Sequence, residues 1–211
     1  MSSRLQEIHD TLLDAFGPQN WWPGDTPFEI MIGAVLTQNT AWTNVERAID
    51  NLQRANLLSL EALAAVEVSV LAELIRPSGY YNQKAARLKV LSRYIIDNHN
   101  DLQTLFDQDT EALREELLSL KGIGPETADS ITLYAAHKPT FVVDTYTHRI
   151  FSRHNLIAEE ADYYEIREMF MDTLPEDVQL YNEYHALIVR LGKEYCKKSK
   201  PLCDACPIKD F

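Results

Sequence analysis

The turn Gly122-Ile123-Gly124-Pro125, set between two apolar runs with helical spacing, restricts this chain more than any other stretch. Two glycines let the backbone reverse sharply with its amides bare, and proline suits the first helical position, where its missing N–H has no partner to lose. Leu118 and Leu120 precede the turn, and Ile131 and Leu133 follow it. The stretch reads as two helices packed in a hairpin, with a helix start behind an open loop that suits a phosphate. Twenty residues past the turn, after apolar Phe141-Val142-Val143, stands Asp144.

Helical periodicity continues along the chain. Leu5, Ile8, Leu12 and Phe16 predict an amphipathic N-terminal helix closed by Gly17-Pro18. Residues 27–36 form an apolar helical run, and Thr43 to Glu46 has the spacing of a capping box opening a helix to about Ala55. Further helices are expected over 59–66, 68–75, 82–98, 110–120, 127–136, 161–174 and 181–196. Almost nothing alternates with period two, so the expected fold class is all-α. With 211 residues the chain can bury a core as one domain or as two lobes.

A net charge of -12 argues against a protein that coats nucleic acid non-specifically, because phosphate neutralisation needs clustered Lys and Arg. Acidic residues gather at 111–116 and 159–177. Basic ones gather at Lys84, Arg87, Lys89 and Arg93, at Lys121, at Arg149 and Arg153, and at Lys193, Lys197, Lys198 and Lys200. That segregation is compatible with one cationic face on an acidic protein, or with ordinary solvated helix faces. No apolar run approaches the length of a membrane span, and residues 1–16 lack the pattern of a signal peptide, so a cytoplasmic protein without a membrane partner is expected.

Several other stretches carry chemistry. Trp21 and Trp22 sit before Pro23 in a loop, and Trp42 follows the polar Thr37-Gln38-Asn39-Thr40; such large apolar groups need somewhere to go, whether a lobe seam or a binding site. Asp144-Thr145 has the form of a helix N-cap. All three cysteines, Cys196, Cys203 and Cys206, fall within eleven residues beside Lys197, Lys198 and Lys200, which favours a metal site.

The hairpin, the Val143-Asp144-Thr145 segment, VLTQNT (35–40), SGYYNQKA (78–85) and the cysteine spacing together resemble the endonuclease III family of helix-hairpin-helix base-excision DNA glycosylases, within it the 3-methyladenine DNA glycosylase III branch. The resemblance spans nearly the whole chain. It implies two helical lobes with a DNA-binding cleft between them: a six-helix domain with the hairpin over 26–138, and a second domain from 1–25 and 139–211 carrying the cysteine loop. It implies a monomer acting on double-stranded DNA that contains a damaged base.

Residue by residue, the resemblance makes Asp144 the catalytic carboxylate, which stabilises the cationic sugar or orients water as the N-glycosidic bond breaks. Trp21, Trp22, Pro23 and Trp42 match the branch's base pocket, where indoles stack on a cationic methylated purine. Gln38 matches the residue that fills the space left by a flipped base, and Tyr80 the wedge opposite it. Lys121, Gly122, Ile123 and Gly124 would hold a DNA phosphate, with a possible monovalent cation on the turn carbonyls. Cys196, Cys203 and Cys206 match the first three ligands of a [4Fe-4S] cluster. The fourth is expected at position 212, one past Phe211, which leaves open a ligand just beyond the sequence, a different fourth ligand, or an absent or labile cluster; zinc is the alternative metal.

One departure is informative. Family members that also cut the strand carry a lysine where this chain has Glu126, and a carboxylate cannot form their Schiff base. A monofunctional glycosylase for an alkylated purine such as 3-methyladenine is therefore expected, with strand-cutting lyase activity weak or absent. The alternatives are an endonuclease III-like enzyme for oxidised pyrimidines or mismatches, and a non-catalytic lesion-binding module.

Overall fold

The computed structural model describes residues 2–211, with side chains from Arg4 onward. Among the described residues the ordered elements are twelve α-helices, two short 3-10 turns and one π-helical turn, and no strand is present. The first six are α1 (Ser2–Phe16), α2 (Pro27–Leu36), α3 (Trp42–Arg54), α4 (Leu60–Ala65), α5 (Val68–Leu74) and α6 (Tyr81–His99). The remainder are α7 (Leu102–Phe106), α8 (Thr110–Ser119), α9 (Pro125–Ser130), α10 (Thr145–Arg153), α11 (Tyr163–Thr173) and α12 (Val178–Glu194). The chain divides into two compact units, one made of residues up to Trp22 with Lys138–Phe211, the other of Pro23–His137.

Short polar side chains start most of the helices. Thr26, Ser59, Asp101, Asp109, Asp162 and Asp177 each accept a hydrogen bond from a backbone amide in the first turn that follows, the standard remedy for unpaired N–H groups at a helix start. The capping box expected at Thr43 is not formed: α3 begins two residues earlier than that box would start it, behind Ala41, which offers no capping side chain. Glu46 instead accepts the indole N–H of Trp42 at 2.8 Å.

In the Pro23–His137 unit, α2 is apolar nearly all round, with Phe28 and every residue from Ile30 to Leu36 buried. Such a helix has no face to give to water and becomes the centre of its unit. It packs against α3, α6, α9 and the segment that follows α9. That segment departs from the regular helix expected over 127–136: residues Ile131–Ala135 form a π-helical turn, in which the Ala136 N–H reaches Ile131 O, five residues back, at 3.0 Å.

Two of the lysines grouped above among the basic residues, which either a cationic face or solvated helix faces would expose, lie inside this unit. Lys89 donates to Leu63 O, Ala64 O and Val66 O, the unpaired carbonyls at the end of α4, and Lys84 is only 1% exposed. An ammonium carries three donors, and three carbonyl acceptors satisfy it without water.

The other unit is built on aromatic rings. Phe141 stacks on Phe170 at 3.9 Å, and Phe151 and Tyr184 meet Phe170 edge-on. The stripe Leu5, Ile8 and Leu12 on α1 is buried here, each side chain adding about 1.5–3 kcal/mol. The Tyr184 hydroxyl donates to Leu5 O at 2.9 Å, which ties α12 to α1.

Candidate functional site

The hairpin joins α8 to α9. Gly122 has φ +95°, a left-handed value that a side chain resists, and a Cβ there would stand 2.6 Å from Arg87 Nε. The left-handed turn requires glycine, and the Arg87 side chain lies against the space its missing Cβ leaves. Ile123 is buried beneath the turn, while Lys121, Gly124 and Glu126 are exposed around it. The two hairpin helices are held by a buried pair, Arg114 Nε and Nη2 to the two oxygens of Asp129, at 2.7 and 3.2 Å.

Gln38 lies against the hairpin. Its amide Nε2 donates to Thr127 Oγ1 at 2.7 Å and to Gly122 O at 3.3 Å, and its Oε1 accepts from Arg87. One of the turn carbonyls expected to face a monovalent cation thus already accepts from a side chain. Tyr80 is 68% exposed and precedes α6 with φ +44°, behind Gly79 at φ +66°. Burial, with Arg87 close by, lowers the Lys84 pKa to about 8.

In the other unit, buried Phe141-Val142-Val143 leads into Asp144, which caps α10. Asp144 Oδ1 accepts from the amides of Tyr146 and Thr147 at 2.9 and 2.8 Å and from Thr147 Oγ1 at 3.0 Å. That leaves Oδ2, which faces His185 Nε2 at 3.7 Å. His185, on α12, is buried; desolvation lowers its pKa against the opposing pull of Asp144, and Lys193 lowers it further. Burial thus disfavours the charged form of an imidazole that stands beside a carboxylate whose other oxygen is held by the helix start.

The close approach of α10 and α12 that creates this pair depends on Gly192, where a Cβ would fall 2.2 Å from Tyr146 Cδ1. His148, one turn into α10, takes no part, since its Nε2 lies 3.0 Å from Glu159 O. Arg149 and Arg153, counted above as basic surface, are spent on the end of α12: they donate to Gly192 O, Cys196 O, Lys197 O and Lys198 O.

Trp21 and Trp22 meet edge to face at 5.4 Å, and the Lys193 ammonium lies 5.9 Å from the Trp21 ring centre. Pro23 and Trp42 belong to the other unit. Cys196, Cys203 and Cys206 line one cavity of about 270 Å³ with Arg153, His154 and Phe211. Arg153 Nη1 donates to Cys196 Sγ at 3.3 Å, and burial, with Cys196 and Cys203 adding to it, raises the Cys206 thiol pKa. No three His, Cys, Asp or Glu side chains among the described residues converge tightly enough to hold a single ion.

The profile of the HhH-GPD superfamily of base excision DNA repair proteins matches residues 32–176. The chain belongs to that superfamily. It is a DNA repair glycosylase, and its relatives agree. A presumptive DNA repair glycosylase of Methanocaldococcus jannaschii is 52% identical over 98% of this chain and 94% of its own length. Endonuclease III of Thermotoga maritima is 32% identical over 98% of this chain and 91% of its own. Among solved structures, the H. pylori 3-methyladenine DNA glycosylase bound to 1,N6-ethenoadenine superposes with a TM-score of 0.77 at 36% identity, covering 92% of this chain and 95% of that one.

The HhH-GPD match takes in Gln38, Trp42, Tyr80, the hairpin and Asp144, and leaves Trp21, Trp22 and the cysteines outside it. Two residues of this glycosylase were missed in the sequence. His185 carried a signal, a lone histidine on the buried stripe of α12 beside Tyr181 and Ile188. Lys84 carried none, because a lysine in an amphipathic helix normally faces water.

Proposed function

We propose that this glycosylase is monofunctional and removes an alkylated purine such as 3-methyladenine from double-stranded DNA, leaving an abasic site. The observation that carries the reading is the edge-to-face pair Trp21 and Trp22 at 5.4 Å. A purine methylated on a ring nitrogen is cationic, and electron-rich indoles attract it by about 0.5–2 kcal/mol per ring. A cation over an indole is a contact this unit already makes, through Lys193 and Trp21. A cationic base also leaves as a neutral molecule, so the reaction needs little general acid.

Asp144 then has one task, to meet the positive charge that develops on the sugar as the bond breaks. Oδ1 is held by three donors, so Oδ2 is the oxygen available for it. Burial disfavours the charged form of His185 beside Oδ2, which works against a competing positive charge there. Glu126, exposed in the first turn of α9, offers no amine for attack on the sugar, which supports hydrolysis without strand cutting.

Cys196, Cys203 and Cys206 are assigned to three corners of a [4Fe-4S] cluster, which supplies a structural anchor for the loop after α12. Anaerobic reconstitution should give about four irons per chain. One zinc per chain would reassign the site.

The function is tested by incubating the protein with alkylated DNA and with thymine-glycol DNA, then analysing released bases and strand breaks before and after alkali. Release of 3-methyladenine with breaks appearing only after alkali is the expected result. Cutting of thymine-glycol DNA without alkali would overturn it in favour of an endonuclease III-like specificity.

A further inference from the structure

Within the Pro23–His137 unit, two loops share one buried ammonium. Lys84 Nζ donates to Leu36 O at 2.8 Å, to Thr40 Oγ1 at 2.8 Å and to Ser78 O at 2.7 Å. The first two acceptors bracket Gln38, and the third lies two residues before Tyr80. Thr40 Oγ1 also donates to Ser78 O, so the two loops are pinned at a single point. Ser78 is fully buried and Lys84 is 1% exposed, whereas Tyr80 stands 68% exposed. The base of each loop is therefore fixed while its tip is presented outward.

We propose that Lys84 is a positioning residue that sets the spacing of the Gln38 and Tyr80 loops and so governs how efficiently a paired base is extruded. The proposal rests on the reading of Gln38 and Tyr80 as residues that enter the duplex. Lys84 has no donor left for a phosphate, because its three protons all go to internal acceptors. Its charge acts on the register of the loops and not on DNA. Arg87, one turn further along α6, extends the brace: it reaches Gln38 Oε1 and lies against Gly122, tying the first loop to the hairpin. Removing the ammonium takes a donor from Leu36 O and Thr40 Oγ1 and leaves Ser78 O with the Thr40 hydroxyl alone, a deficit that the loops can make good by moving apart to admit water.

The test uses single-turnover excision of one lesion in two duplexes, one with a base opposite it and one with an abasic analogue opposite it. The second duplex has no pair to break and needs little insertion. Lys84→Met is expected to slow excision of the paired lesion about ten- to hundredfold and to leave the unpaired lesion within about threefold of wild type. A fluorescent base analogue beside the lesion should show the same deficit in extrusion. Thr40→Val should shift the ratio in the same direction, and Thr40→Ser should restore it; this pair decides the matter if Lys84→Met does not fold. Equal losses on both duplexes, or wild-type rates on both, would overturn the proposal. If Gln38→Ala and Tyr80→Ala leave paired excision unchanged, the reading of the loops falls and the proposal with it. If those two slow it while Lys84→Met and Thr40→Val do not, only the proposal falls.

Discussion

At the scale of single residues, one oxygen of Asp144 caps α10, and the proposed function gives the other to the sugar. Asn caps helices about as well as Asp, so Asp144→Asn is expected to change stability by less than about 1 kcal/mol while slowing base excision by about 10²–10⁴-fold. Thermal melting and single-turnover kinetics separate the two effects, and full activity in this variant would reduce Asp144 to a helix cap. Glu126 permits the converse test. Glu126→Lys puts an amine in the first turn of α9, and borohydride should then trap a covalent complex with DNA that the wild type does not form. Failure to trap any adduct would place the attacking position elsewhere. Asp144 was legible in the sequence as a helix cap because the cap depends only on neighbours within three residues. His185 was legible only as a lone histidine on a buried stripe, because nothing local distinguishes a histidine packed on a carboxylate from one packed on carbon.

At the scale of elements, the junction of α6 with α8 contains a titratable knot. Glu116 accepts from Tyr94 Oη at 2.7 Å and Gln108 Nε2 at 2.6 Å, and its other contact is His99. Burial works to raise its pKa, yet these hydrogen bonds outweigh burial and hold it below the ordinary 4.5. A carboxylate with a depressed folded pKa contributes stability that is complete above its unfolded value and lost as pH falls through the folded one. Urea midpoints are accordingly expected to fall below about pH 4.5, with a shallower fall in Glu116→Gln; an unchanged slope in that variant would remove Glu116 from the account. Helix positions were largely legible, since Asp109, Asp162 and the glycines of the hairpin act over one turn of chain. The start of α3 was not, because Thr43 to Glu46 has the spacing of a capping box while Trp42 claims Glu46 instead. The π-helical turn at Ile131–Ala135 was also invisible, as its apolar residues suit a regular helix equally well.

For the whole molecule, the distribution of charge decides how DNA is held. Lys84, Lys89, Arg114, Arg149 and Arg153 are engaged within the protein, so the exposed cations of the hairpin turn and the cysteine loop come down to Lys121, Lys197, Lys198 and Lys200. About four phosphate contacts correspond to a slope near −3.6 in log affinity against log salt concentration, and titrations across salt should find it. A slope beyond about −6 would reveal a wider cationic surface than these residues provide. The sequence by itself determined the all-helical architecture, the hairpin, the capping aspartate and the clustering of the cysteines. Each of these is written in spacings of a few residues, where backbone sterics and helical periodicity act directly. Only the tertiary structure decided that His185 faces Asp144 and that Lys84 lies inside, holding a carbonyl 48 residues away. Those contacts arise where helices distant in sequence pack together, and the packing of one helix on another is set by shape complementarity across the whole core rather than by any short stretch of chain.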